Sequence, residues 1–148
     1  MLRKFAAWIS VLIWMGVIFN FSAQNAEESS SLSQGISKIL YNTISSLPGV
    51  QIELSLFHSL LRQAAHFIVF LILALLLINA FRISGFNFNR SALYTFIFAV
   101  IYAALDEYHQ SFVPGRTAEL KDVFVDSLGI ISGIGFYRTI LLIISYLK

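Results

Sequence analysis

The 148-residue chain has no cysteine, which excludes disulfides, thiol nucleophiles and thiolate metal sites in whatever compartment it occupies. It has only two prolines, so long stretches are free to form helix. No segment alternates apolar and polar residues for long enough to make a membrane strand. Charge is scarce as well: 12% of residues are charged against 57% hydrophobic, a balance foreign to soluble domains. The formal excess of two positive charges forms no stripe that could follow a phosphate backbone, which excludes nucleic acid as a partner. A Gly-rich phosphate loop, a Gly-x-Ser-x-Gly elbow and a His-Glu-x-x-His pair are all missing.

What the chain does have is apolar runs. The first, Phe5 to Phe21, follows Arg3 and Lys4 and reads as a spanning helix; the competing reading is a signal peptide cut near Ala23 or Ala26. The second, Ala64 to Phe81 between Arg62 and Arg82, is the clearest span and by itself rules out a soluble protein. A third, Ala92 to Leu105, crosses a hydrocarbon core of about 30 Å only if its helix continues through Asp106 to His109. The fourth starts near Val123 and runs past Tyr137, with Gly129-xxx-Gly133 spaced for close approach to another helix. Between the first two runs, Ile36, Ile39, Leu40, Ile44 and Leu47 recur at helical spacing opposite Ser33, Gln34, Ser37, Lys38 and Asn42. This predicts an amphipathic helix in the headgroup region, opened by an Asn25/Glu28 capping box and closed by Pro48-Gly49.

The expected architecture is one all-α domain over residues 1–148. It is an integral membrane bundle of about four transmembrane helices, near 5–21, 64–81, 92–109 and 123–145, plus the amphipathic interfacial helix in the first outer loop. Arg3, Lys4, Arg82, Arg90, Arg138 and Lys148 then fall on one side, which the retention of Lys and Arg makes the cytoplasm, with both termini inside. The other side receives Glu27, Glu28, Glu53, Asp106, Glu107, Glu119 and Asp122 against Lys38, Arg62, Arg116 and Lys121, and is acidic.

Nearly every side chain able to do chemistry falls on that outer side. Arg62 and His66 share a helix face, as do Asp106 and Gln110 with His109 beside them, and Asp122 and Asp126. Glu107 adjoins the second group, and Pro114-Gly115 predicts a tight turn that points Arg116 back at the helix ends. Asp126 lies about 6 Å deeper than Asp122, where an ionised carboxylate needs a partner, and Arg62, Arg116, His66 and His109 are available. Each residue taken singly reads as a mutually satisfied or snorkelling group. Three helix ends with paired ionisable residues exceed what helix termination requires, and intramembrane charge points to function.

Four roles stay open for the cluster. A carboxylate with His is an acid–base pair, Asp122 or Asp106 with His109 in the first place. Asp106, His109, Asp122 and Asp126 have donors for a divalent cation but no diagnostic spacing, so metal and cofactor are unknown at this stage. Arg62 and Arg116 suit a phosphate or carboxylate. The fourth role is a polar plug that locks the helices. A transporter fits poorly, because four helices make a thin wall and the inner end has no matching polar set. His58, in the amphipathic approach to the second span, reads as a surface residue.

The segments Phe21-Ser22-Ala23-Gln24, Arg62-x-x-x-His66-Phe67, Asp106-Glu107-x-His109-Gln110-x-Phe112-Val113-Pro114-Gly115-Arg116 and Asp122-x-x-x-Asp126-x-x-Gly129-x-x-x-Gly133 together resemble the VanZ-like family of bacterial membrane proteins. The resemblance covers most of the chain and departs at Asp126, where the family pattern often carries Asn. Its founding member is associated with low-level resistance to teicoplanin, a glycopeptide that acts on wall precursors outside the membrane. The resemblance thus implies a cell-envelope role in the bacterial cytoplasmic membrane and gives no reaction. The expectation is an outer pocket of Arg62, His66, Asp106, Glu107, His109, Gln110, Arg116, Asp122 and Asp126 that binds an anionic lipid-linked headgroup, wall precursor or glycopeptide among membrane lipids. The alternative is a non-catalytic protein that masks precursors or scaffolds a partner; oligomeric state is unassigned.

The native absence of cysteine makes the orientation testable. A single cysteine at Ser111 is expected to react with an impermeant thiol reagent in whole cells, and one at Asn87 to react only after lysis. The reverse pattern would invert the topology.

Overall fold

No proline interrupts residues 49–113, and the sequence there is rich in Leu, Ala, Phe and Ile, so nothing local stops a helix except the Gly85-centred turn. The computed structural model describes residues 1–24, 39–44, 53–116 and 118–147. It contains four long helices: α1 (Leu2–Ser22), α2 (Leu54–Ile83), α3 (Phe88–Gln110) and α4 (Leu120–Tyr146). At the helical rise of 1.5 Å per residue they extend for roughly 32, 45, 35 and 40 Å. All 4 are long and apolar enough to cross a membrane, as a multi-pass protein requires. A short helical stretch occupies 39–44 of the expected amphipathic helix. The rest of that helix, with its Asn25/Glu28 cap and Pro48-Gly49 stop, lies outside the described residues.

Helix α2 starts at Leu54, well before the apolar run that begins at Ala64. The polar residues of that extension are helix-permissive, so the helix continues beyond the point where hydrophobicity fails. Helix α3 likewise opens early, because the Asn87 side chain caps it by accepting from the Arg90 backbone N–H at 3.0 Å.

Helix α2 is central. It packs on all three others, most extensively on α4, while the backbones of α1 and α3 approach at few places. The reason lies in Gly129 and Gly133. A methyl group added at Gly129 would run into the Phe67 carbonyl, and one at Gly133 would lie 2.7 Å from the Leu71 carbonyl. The two backbones therefore meet directly, as small residues permit in lipid. Around this contact Phe70, Leu73, Ala74, Ile78, Ala99, Ala103 and Ile130 are fully buried. Ile68, Phe98, Ile101, Ile131 and Phe136 point outward, an apolar exterior suited to lipid.

Helix α1 is attached differently, by side chains that reach across helices. Trp14 Nε1 donates to the Val69 carbonyl at 2.9 Å, Tyr102 Oη to the Met15 carbonyl at 2.7 Å, and Trp8 Nε1 to Ser84 Oγ at 3.1 Å.

Replacing Gly129 or Gly133 with Ala is expected to lower stability by about 1–3 kcal/mol through overpacking against backbone. Gly135→Ala, where the added methyl meets nothing within 4 Å, is the neutral control. Thermal unfolding of the three variants in detergent micelles checks this; equal midpoints would remove the claimed contact.

Candidate functional site

The C-terminal ends of α1 and α3 and the N-terminal ends of α2 and α4 share one end of the bundle, as alternating spans must. Helices α2 and α4 run parallel there, and the register fixed by their glycine contact sets polar residues opposite one another. Arg62 Nη2 forms an ion pair with Asp122 Oδ2. One turn deeper, His66 Nδ1 lies 3.1 Å from Asp126 Oδ1. Four-residue spacing on each helix makes these two rungs of one ladder, directly above the packing of Gly129 and Gly133 on Phe67 and Leu71. Both carboxylates are buried, Asp122 at 3% and Asp126 at 1% exposure. Asp122 also sits in the first turn of α4, where the helix dipole favours an anion.

The last turn of α3 closes a second wall. Asp106, Glu107 and Gln110 are all buried, and Gln110 Nε2 donates to Asp106 Oδ2 at 3.2 Å. Glu107 Oε1 accepts from the Glu119 backbone N–H at 2.5 Å, which ties α3 to the entrance of α4. Val113-Pro114-Gly115-Arg116 forms the expected tight turn: the Arg116 N–H donates to the Val113 carbonyl at 3.1 Å, with Gly115 at φ +78°. The turn returns Arg116 to the bundle, where Nη2 donates to the Phe21 carbonyl at the end of α1, 3.2 Å away. Burial, reinforced by the Arg62 charge, lowers the Arg116 guanidinium from its usual pKa, though a guanidinium keeps its proton at any biological pH. The His109 ring lies on Phe19, centroids 4.7 Å apart.

All nine residues read from the sequence thus lie at one end, but the pairing differs from the expectation. The imidazole on a carboxylate is His66 on Asp126, while His109 stacks on an α1 aromatic. Arg62 is already bound to Asp122, so of the two guanidiniums expected to hold an anion only Arg116 lacks a carboxylate partner among the described residues. No three His, Asp or Glu side chains among the described residues converge as metal ligands.

Sequence reasoning missed several participants. An open groove of about 270 Å³ is lined by His58, Ser59, Gln63 and Glu119 besides Arg62 and Asp122. The α2 members were findable, since 58, 62 and 66, and 59 and 63, repeat at helical spacing. Ser22 on α1 is buried beside Asp106 without closing a hydrogen bond of ordinary geometry. The Phe21 carbonyl and Glu119 N–H are backbone groups and carry no sequence signal.

Removing Arg62 leaves Asp122 buried without its ion partner. Arg62→Ala is expected to cost about 1–3 kcal/mol, between the values for exposed and fully buried pairs. Adding Asp122→Asn should restore most of that loss. Thermal unfolding of the two single variants and the double variant measures the coupling, and additive losses would show the pair to be incidental.

No curated protein and no solved structure matches the chain. A family model described as VanZ/LLP1 matches residues 7–143, from within α1 to the last turns of α4 and through every helix that forms the polar end. This membrane chain, with four helices long enough to span a bilayer among its described residues, therefore belongs to the VanZ/LLP1 family.

Proposed function

We propose that this VanZ-like membrane protein works in the bacterial cell envelope, where its polar end faces outside and binds an anionic lipid-linked headgroup or wall precursor, thereby contributing to glycopeptide (teicoplanin) tolerance. The supporting observation is the asymmetry of the Arg62–Asp122 pair: the Asp122 side chain is 4% exposed while the Arg62 side chain, which lines the groove, is 39% exposed. Asp122 pairs with Nη2 alone, and the partly exposed Arg62 side chain at the groove keeps donors suited to a phosphate oxygen. Arg116 adds a second positive charge across the same end. The basic residues gathered at the opposite end agree with an outward-facing groove and cytoplasmic termini.

An enzymatic extension of this reading uses His66 and Asp126. A carboxylate that orients an imidazole is the arrangement of general acid–base catalysis, and a phosphate or acyl linkage held by Arg62 would lie one helical turn above it. The rival reading, a non-catalytic protein that masks precursors or supports a partner, draws on the same two rungs as helix-locking pairs.

The test is a panel of Arg116→Lys, His109→Ala and Asp122→Asn, scored for teicoplanin tolerance and for membrane abundance in a susceptible bacterium. Arg116→Lys is expected to lose tolerance at normal abundance, because an ammonium cannot replace the planar fork. Asp122→Asn should lose abundance together with tolerance. Full tolerance in all three at normal abundance would end the groove hypothesis, and abundance falling ahead of tolerance throughout would favour the rival.

A further inference from the structure

The end of the bundle opposite the groove carries cations and no acid among the described residues. Every described acidic residue, from Glu53 at the start of α2 to Asp126 within the first two turns of α4, lies toward the other end. Arg3, Lys4, Arg82, Arg90 and Arg138 gather here instead. Three of these cations, from three different helices, touch the short turn that joins α2 to α3. Lys4 Nζ of α1 donates to the Ser84 carbonyl at 3.5 Å, Arg82 Nη1 of α2 donates to the Phe86 carbonyl at 2.9 Å, and the Arg138 guanidinium of α4 lies over the Phe88 ring, 5.2 Å from its centroid. All three partners are neutral. Residues 84–88 span at most about 14 Å, so the three charges crowd one small surface without a counter-charge. Helix stability does not account for the arrangement. Arg3, Lys4 and Arg90 occupy the first turns of α1 and α3, which hold no acidic residue and where the helix dipole disfavours a cation.

The turn itself is fixed by backbone and rings. Gly85 adopts φ +106°, the Gly85 and Phe86 N–H groups donate to the Arg82 and Phe81 carbonyls at 3.1 and 3.2 Å, and the Phe86 ring packs on Phe81 and Tyr94. Trp8 Nε1 on Ser84 Oγ ties α1 to the same point. One N–H of Lys4 and one of Arg82 are engaged by carbonyls, and a guanidinium over a ring keeps its in-plane donors, so most donors remain for anionic oxygens. Beside the cations the exterior is apolar, with Leu2, Phe5 and Leu93 exposed. A free anion leaves that surface bare, whereas a lipid covers it with its chains. We infer that the α2–α3 turn, with Lys4, Arg82 and Arg138, binds the headgroup phosphate of an anionic phospholipid in the leaflet at this end, the cytoplasmic leaflet in the orientation proposed above. What the outer groove binds does not enter into it. Phosphatidylglycerol is a simple headgroup of this class; phosphatidylcholine carries the same phosphate together with its own cation and so neutralises itself.

The test labels the purified full chain in detergent micelles with phosphatidylglycerol or phosphatidylcholine bearing a photoactivatable group near the headgroup, and maps the cross-links by mass spectrometry. Phosphatidylglycerol is expected to label residues 82–90 about tenfold more strongly than phosphatidylcholine. At subsaturating lipid, Arg82→Gln and Arg138→Gln should each reduce that labelling about fivefold, and Arg3→Gln, which removes a cation from the same end but away from the turn, less than about twofold. Phe88→Leu leaves the charge unaltered and takes away the ring under Arg138, so a loss of about threefold there separates a built site from attraction to the whole end. Equal labelling by the two lipids, or a loss in Arg3→Gln as large as in the turn variants, would overturn the site. Labelling confined to residues 58–63 and 119–122 would put the lipid in the groove and overturn it likewise. Loss of labelling in millimolar inorganic phosphate would make a free anion the occupant and overturn the lipid. The two-lipid map on the unaltered chain decides even if a variant fails to fold.

Discussion

The polar end exists because two helix backbones touch. Glycine at 129 and 133 lets α4 lie against the carbonyls of Phe67 and Leu71, and that contact fixes both the distance and the register between α2 and α4. An ion pair beneath the headgroups is tolerable only at hydrogen-bond range, because hydration is lost in full while attraction falls with separation. Side chains at those two positions would drive the helices apart and leave Asp122 and Asp126 buried beyond reach of Arg62 and His66. The apolar crossing and the polar ladder are thus one construction: the first makes the second affordable in lipid.

The ladder in turn decides what the rest of the site can be. With Arg62 bound to Asp122, the positive charge seen from the groove is partial, and Arg116 at the turn after α3 becomes the less committed cation. With His66 on Asp126, the acid–base chemistry available is placed deep between α2 and α4 and away from His109, whose ring packs on Phe19. On α3, which does not share in the glycine contact, Asp106 Oδ1, Glu107 Oε2, His109 Nδ1 and Gln110 Oε1 are buried with no hydrogen-bond partner among the described residues. Two walls of this end therefore differ: paired rungs on one side, where Arg62 Nε alone is left over, and several unpaired polar atoms on the other.

Helical period made some of this legible in the sequence. Four-residue spacing forces 62 with 66, 106 with 110 and 122 with 126 onto common faces whatever the tertiary fold, and the Gly129-xxx-Gly133 spacing announced a close crossing. Which face meets which was not legible, because register between helices depends on the packing of the whole interface. His66 was thus grouped correctly, while the carboxylate–imidazole pairing was assigned to His109. The groove escaped for another reason. Apolar runs mark where lipid begins, and helix α2 continues beyond that point through His58, Ser59 and Gln63, where propensity alone carries it. The Phe21 carbonyl and the Glu119 N–H were out of reach in principle, since every residue offers the same backbone groups.

Helix α1 completes the site on different terms from the others. It has no small-residue contact of the α2–α4 kind, and it meets α2 and α3 through indole and phenol groups that donate to backbone carbonyls. Its last turn nevertheless supplies three elements of the polar end: the Phe19 ring under His109, the Phe21 carbonyl that receives Arg116, and the Ser22 hydroxyl beside Asp106. Arg116 is therefore positioned by a backbone acceptor at a helix C-terminus, where the dipole already favours a cation. A carboxylate in that place would have neutralised the guanidinium as Asp122 does Arg62; a carbonyl orients it and leaves its charge in the site. Of the two arginines, one serves mainly to make the buried ladder possible, and the other, held by α1, has no carboxylate partner among the described residues.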